Sequence, residues 1–219
     1  MKWLRRRWAI VICLASPIML LPGASRAQEP PRVIVLGGQR EDQGVAELVV
    51  LAGSSLESPE KAGLASVMAG VLAAEVESGE GGVVLGWVEP DRLAFRVIAP
   101  PDSLSLLVDR LLGTLAAPLF REEAIEREKS RSRAVLQSQL LSPEVVAARS
   151  LTERVFPAHP YGRLETPGSL AGLSREDLVG FHARWVGPRG ALLVVGGIGS
   201  EEESRNPFQE AVLDWTERA

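Results

Sequence analysis

Six apolar residues, Leu104, Leu107, Val108, Leu111, Leu112 and Leu115, recur at spacings of three and four. That period places them on one stripe of an α-helix, and the stripe must lie against something equally apolar. A second stripe of the same period, Leu64, Val67, Met68, Val71 and Leu72, stands upstream. Around the two lie short Val- and Leu-rich runs at residues 32–36, 45–52, 83–88, 93–98 and 191–197. Gly37-Gly38, Gly44 and Glu89-Pro90-Asp91 punctuate them, so they read as strands, the third and fourth joined as a hairpin. Strands in pairs followed by helices in pairs predict an α+β fold: a largely antiparallel sheet with helices packed on one face.

The remaining segments fit that plan. Pro59 is expected to open the helix of the Leu64 stripe, and Ser66, Ala69, Gly70 and Ala73 form a neighbouring stripe small enough for another backbone to approach closely. Asp102 is placed to cap the leucine-rich helix. Residues 121–141 are highly charged, with Glu123 and Arg127 one turn apart, and predict a solvated helix. Ser142-Pro143 starts another helix, which ends before Pro157. Ser174-Arg175-Glu176-Asp177 is a capping box ahead of Leu178, Phe181, His182 and Trp185. A short helix over 207–215 closes the sequence, and Gly79, Gly81 and Gly82 make a flexible turn rather than a phosphate cradle.

The first 27 residues read as an export signal: Lys2, Arg5, Arg6 and Arg7, an apolar run over 8–21, then Pro22-Gly23-Ala24-Ser25-Arg26-Ala27 with small residues where signal peptidase cuts. The run contains Pro17 and is shorter than the roughly 20 apolar residues of a membrane span, so membrane contact is expected only through this segment if it is retained. Cys13 follows Ile12, which does not suit lipoprotein processing. Removing 27 of 219 residues leaves 192, one domain with a sizeable core. The leader carries five basic residues and no acidic one, so the net charge moves from −4 to −9 on its removal. Nucleic acid is not an expected partner of so acidic a surface. Cys13 is the only cysteine, so residues 28–219 form neither a disulfide nor a thiol nucleophile. The expected location is the periplasm.

The ordered motifs carry more. Gly63-Leu64-Ala65 opens a helical decapeptide; downstream run His159-Pro160-Tyr161-Gly162, Thr166-Pro167-Gly168-Ser169-Leu170, Leu173-Ser174-Arg175-Glu176-Asp177-Leu178, Phe181-His182 and Gly187-Pro188-Arg189-Gly190-Ala191-Leu192-Leu193-Val194-Val195-Gly196-Gly197. Over residues 46–197 this succession resembles the insulinase/pitrilysin family of zinc peptidases, the inverted zincins. The resemblance implies the module seen in mitochondrial-processing-peptidase-like metallohydrolases, and residues 28–219 are expected to form one such module, with the family's second module absent.

In that family Gly-Leu-Ala is followed by H-x-x-E-H, two metal ligands one turn apart with the catalytic base between them. Here those positions hold Ser66, Ala69 and Gly70. The family's third ligand, a glutamate on the helix preceding His-Pro-Tyr-Gly, matches the stretch Ala134-Val135-Leu136-Gln137, which has no carboxylate. No metal, cofactor or catalytic residue is therefore expected, and zinc endopeptidase chemistry is not expected of the chain. His159 reads as shaping a proline-flanked loop, and His182, on the stripe of Leu178, Phe181 and Trp185, as a hydrogen-bonded core histidine. Ser58-Pro59-Glu60-Lys61 matches S-x-x-K, yet Lys61 and Lys129 are the only lysines after the leader, so no K-T-G accompanies it and Ser58 reads as a helix cap.

The resemblance implies a non-catalytic exported subunit that binds a zinc-bearing insulinase/pitrilysin-family partner as a heterodimer and walls a chamber around an unfolded peptide. Two other readings fit the residues: a hydrolase using catalytic groups outside these motifs, and a truncated relic or stand-alone peptide-binding module.

Overall fold

A computed structural model describes residues 30–39, 43–76, 81–199 and 201–218. The segment expected to be an export signal, Cys13 within it, and most of the Ser78 to Gly82 loop lie outside the described residues. Five strands and seven helices are β1 (Arg32–Gln39), β2 (Gly44–Val50), α1 (Leu64–Glu75), β3 (Val83–Val88), β4 (Leu93–Ala99), α2 (Pro101–Ala116), α3 (Glu122–Gln139), α4 (Pro143–Val155), α5 (Pro167–Ala171), α6 (Arg175–Trp185), β5 (Leu192–Gly199) and α7 (Glu201–Arg218).

The strands form one sheet in the order β1-β5-β2-β4-β3. Three ladders are antiparallel and β1 pairs with β5 in parallel, Val35 opposite Val195. The α+β expectation holds, with one parallel pair at the edge. The last strand in sequence thus lies between the first two, with Leu48 opposite Leu193.

Alternation decides which face the helices cover. Along β2 every second residue is buried, and Val35, Leu48, Phe95, Val97, Leu193 and Val195 join the helical stripes in one core. The reverse face carries the Glu47–Arg96 ion pair at 2.6 Å. Leu36, Val83 and Leu85 stand exposed along the two edge strands of the same sheet.

Four local expectations are corrected. Pro59 opens a separate 3-10 turn, Pro59–Lys61, and α1 starts at Leu64. Between them Gly63 adopts φ +94, a left-handed conformation that interrupts the helix and that glycine takes without steric cost. Ser58 precedes that turn, but its side chain makes no capping hydrogen bond. Asp102 lies inside the first turn of α2, because Pro101 takes the first helical position, where its missing N–H costs nothing. Finally, α7 begins at Glu201 and contains Pro207. The proline removes one hydrogen bond without ending the helix, whose buried Phe208, Ala211, Val212 and Trp215 bind it to the core. By contrast α3 is as charged and exposed as expected, with Ala124, Ile125, Lys129 and Leu136 as its buried residues. Its ion pairs join Lys129 to Glu126 and Arg131 to Glu128.

Candidate functional site: the cleft of α1, β3 and α3

The N-terminus of α1 is held by a carboxylate from the loop just ahead of it. Glu57 is 3% exposed, and its two oxygens accept the N–H of Gly63 at 2.9 Å and of Ala65 at 2.7 Å. These are donors that the first helical turn cannot satisfy by itself. Burial pushes the Glu57 carboxyl up to about 7, against the lowering effect of those two N–H groups. The segment that follows His159 braces the same loop from outside. Arg163 donates to the Glu57 carbonyl at 2.7 Å, Ser169 Oγ to the Ala62 carbonyl at 2.8 Å, and Lys61 pairs with Asp177 at 2.6 Å. The lysine of the S-x-x-K match is thereby an ion-pair partner of Asp177 and also donates to the Gly172 carbonyl, so it is not poised to activate Ser58.

Ser66, Ala69 and Gly70, the positions expected from the resemblance to stand where metal and base residues would, meet three different environments. Ser66 is exposed. Ala69 is fully buried, and its carbonyl lies where β3 passes closest: a Cβ on Gly86 would stand 2.5 Å from the Ala69 oxygen. The small stripe expected to admit a backbone does so here. Gly70 is half-buried and faces α3, where a Cβ would collide with the carboxylate of Glu128. Glu128 therefore fills the volume that any side chain at position 70 would occupy.

Ser66 and Gly70 line a cavity of about 270 Å³, together with Gly86, Trp87 and Val88 of β3, Glu128, Arg131, Ser132, Val135, Leu136 and Gln139 of α3, Glu165, and Leu170 of α5. Ala69 is not among its lining residues. Two carboxylates reach this space, each with a guanidinium partner: Arg131 donates to both oxygens of Glu128 at 3.1 and 3.3 Å, and Arg149 pairs with Glu165 at 3.4 Å. The stretch 134–137 supplies Val135 and Leu136 to the cavity wall and no carboxylate. The acid facing Gly70 comes from Glu128, two turns upstream. Neither Glu57 nor Glu128 was identified by sequence reasoning. Glu57 had a faint signal, an acid in the loop ahead of a helix, whereas nothing in the spacing links Glu128 to Gly70.

A zinc site requires about three converging nitrogen, sulfur or carboxylate donors. Among the described residues no group of three His, Cys, Asp or Glu side chains is placed to hold a metal, and the cleft's two carboxylates are engaged by arginines. The donor set does not fit zinc.

Both histidines stand elsewhere. His159 Nδ1 accepts the Tyr161 N–H at 3.2 Å and its ring packs edge-on against Tyr161. Tyr161 in turn donates its hydroxyl to Asp91 at 2.6 Å, tying the loop to the β3–β4 turn. His182 Nε2 donates to the Leu115 carbonyl at 2.9 Å beside the Phe120 ring, and burial lowers its pKa.

One sheet, helices on a single face, and a helix braced against the edge strand over a cleft make a fold similar to that of pitrilysin and of the inactive domain of a peptidase M16. No family model matches the chain. It is 32% identical to Protease 3 of Salmonella typhi over 102 residues, which cover 44% of this chain and 11% of that protein. Protease 3 of Salmonella typhimurium (strain LT2) matches to the same extent. The chain thus aligns with about a tenth of the length of these curated relatives. Among solved structures, pitrilysin superposes with a TM-score of 0.70 at 21% identity, over 85% of this chain and 21% of its own. The inactive domain of a peptidase M16 from Pseudomonas fluorescens gives 0.71 at 18%, over 85% of this chain and 48% of its own. A chain of complex III2 from Candida albicans gives 0.66 at 13%, over 82% and 43%.

Proposed function

We propose that the chain is a non-catalytic, exported insulinase/pitrilysin-like subunit, which pairs with a zinc-bearing subunit of the same fold and walls a chamber that holds unfolded peptide. The observation that carries this reading is the state of α1. Where the family's metal and base residues would stand, Ser66 lies open, Ala69 is packed, and Glu128 fills the space beside Gly70. Such a cleft retains the shape of a peptidase module without its donors. The inactive domain from Pseudomonas fluorescens supports it as a structural neighbour.

Support for a partner comes from the reverse face and edges of the sheet, where Leu36, Val83 and Leu85 are each about half exposed or more. Leu36 stands on one edge strand and Val83 and Leu85 on the other, so a partner that covers the reverse face would bury apolar residues at both edges. Co-expression with a zinc-bearing family subunit from the same genome is expected to yield a stable 1:1 complex whose zinc content comes from that subunit. Leu36→Lys and Leu85→Lys are expected to weaken the complex while leaving the thermal midpoint of the isolated chain nearly unchanged. Peptide cleavage or stoichiometric zinc in the purified chain alone would overturn the non-catalytic reading. Export is tested separately by N-terminal sequencing of the protein from a periplasmic fraction, with Gln28 expected first.

A further inference from the structure

We infer that a second cavity, between the C-terminal halves of α1 and α2 and the first turns of α3, binds a small organic acid: one carboxylate carried on an apolar body. This goes beyond the chamber-wall reading and does not depend on it, because the cavity lies at the opposite ends of α1 and α3 from the cleft that holds Ser66 and Gly70. Its volume is about 580 Å³, inside the range of roughly 300–1,000 Å³ for pockets that enclose a whole small molecule.

The connection from α2 to α3 forms one wall and is fixed without any ligand. Phe120 takes φ +46 and is the one positive-φ residue other than glycine among the described residues. A bulky residue keeps such a backbone only where its surroundings impose it, and here they do. The Phe120 ring is buried edge-on against His182. Glu75, at the end of α1, accepts the N–H of Leu119 at 3.0 Å and of Arg121 at 3.4 Å. Arg175 of α6 donates from Nε to the Phe120 carbonyl at 2.9 Å and from Nη2 to the Leu119 carbonyl at 3.3 Å. Held from both sides, the connection leaves Leu119 54% exposed and sets Arg121 on the cavity wall. A wall ordered in advance lowers the cost of binding.

Charge selects the head group. Arg110 of α2 and Arg127 of α3 line the cavity with Arg121. Arg110 is already engaged, which leaves Arg121 and Arg127 for a ligand. Among the described residues neither of these two guanidiniums has an ion pair or a hydrogen bond, so Glu123, one turn before Arg127, does not pair with it. Glu75 spends its oxygens on the two backbone N–H groups. A planar carboxylate matches the guanidinium fork, whereas the Glu75 and Glu123 carboxylates in the same lining oppose a doubly charged phosphate. The walls select the body. Ala74, Gly113, Ala117 and Ala124 line the space beside Leu119, and a Cβ on Gly113 would meet only the Arg218 guanidinium, at 3.8 Å. Side chains this small leave room for an apolar chain or ring.

The test is a ligand-detected NMR titration of the full chain with hexanoate, hexanol, hexyl phosphate and acetate. Hexanoate is expected to bind about tenfold more tightly than hexanol, as one charge-assisted hydrogen-bonded pair provides. Acetate, which lacks the apolar body, is expected to bind at least about tenfold more weakly than hexanoate. Arg121→Ala and Arg127→Ala are each expected to weaken hexanoate, and the double variant to bring it to parity with hexanol. Ala74→Trp fills the cavity with both arginines in place and is expected to weaken hexanoate and hexanol together. Circular dichroism of each variant separates a lost site from a lost fold. Equal affinity for hexanoate and hexanol, or hexanoate binding unchanged in the double variant, overturns the site. Tighter binding of hexyl phosphate than of hexanoate overturns the carboxylate assignment. Absence of hexanoate binding overturns the proposal and leaves the chamber wall standing, which the complex with a zinc-bearing subunit tests by itself.

Discussion

Glu57 makes the sharpest residue-scale prediction. Its folded carboxyl titrates near 7 rather than 4.5 because burial opposes ionisation more strongly than the Ala65 and Gly63 N–H groups favour it. The folded chain therefore holds this proton more tightly than the unfolded one. The associated stability is fully present below about pH 4.5 and is lost as the pH rises through about 7. Urea unfolding at a series of pH values is expected to show wild type losing about 3 kcal/mol relative to Glu57→Gln across that window, with the variant less stable at low pH because one amide N–H group confronts a backbone donor. An unchanged slope in the variant would remove Glu57 as the source. A second residue-scale prediction concerns Ala69. Glutamate at this position would bury an unpaired carboxylate and is expected to cost at least about 3 kcal/mol, measured by the chemical denaturation midpoint. At this scale the sequence identified Ser66, Ala69 and Gly70 by their order after Gly63-Leu64-Ala65. It could not distinguish an open serine from a packed alanine, or foresee a glycine shielded by an acid 58 residues away.

Elements were legible where a local signal sets them. The capping box was read from Ser174 to Asp177, and the Ser174 hydroxyl does accept the Asp177 N–H while the carboxylate accepts the Ser174 N–H at 2.8 Å. Removing that cap with Ser174→Ala is expected to cost about 1 kcal/mol. Boundaries failed where backbone conformation or tertiary packing overrode composition, as at Gly63 and Pro207. Two glycines at the element scale have opposite expectations. Gly86→Ala forces a Cβ against the Ala69 carbonyl, a backbone atom that cannot move aside, and is expected to destabilise by about 1–3 kcal/mol. Gly113, inside α2, has only the Arg218 guanidinium 3.8 Å from such a Cβ. Alanine there is expected to stabilise by up to about 1 kcal/mol through helix propensity. Thermal unfolding of the pair tests the close approach of β3 to α1.

Across the whole molecule, α7 fastens the end of the described chain to its beginning, packing beside β1 and α2 with Trp215 buried in the common core. Trp215→Ala is expected to cost about 3–5 kcal/mol. Its indole N–H is buried without a hydrogen-bond partner among the described residues. Trp215→Phe removes that donor along with some volume and is expected to cost less than half as much, by the same denaturation assay. The α+β class was legible because apolar periods of two and 3.6 are local properties of the chain. The placement of β5 between β1 and β2 was not, because hydrophobic period says nothing about which distant strand supplies a neighbour.

The sequence alone determined the kinds of elements, the one-sided burial of the sheet, and the absence of histidine and glutamate from positions 66, 69 and 70, since each depends on residue type and spacing along the chain. Only the tertiary structure decided what surrounds those three positions. Contacts between residues 17 and 58 positions apart bring Gly86 onto Ala69 and Glu128 against Gly70, and such contacts leave no periodic trace in the chain that forms them.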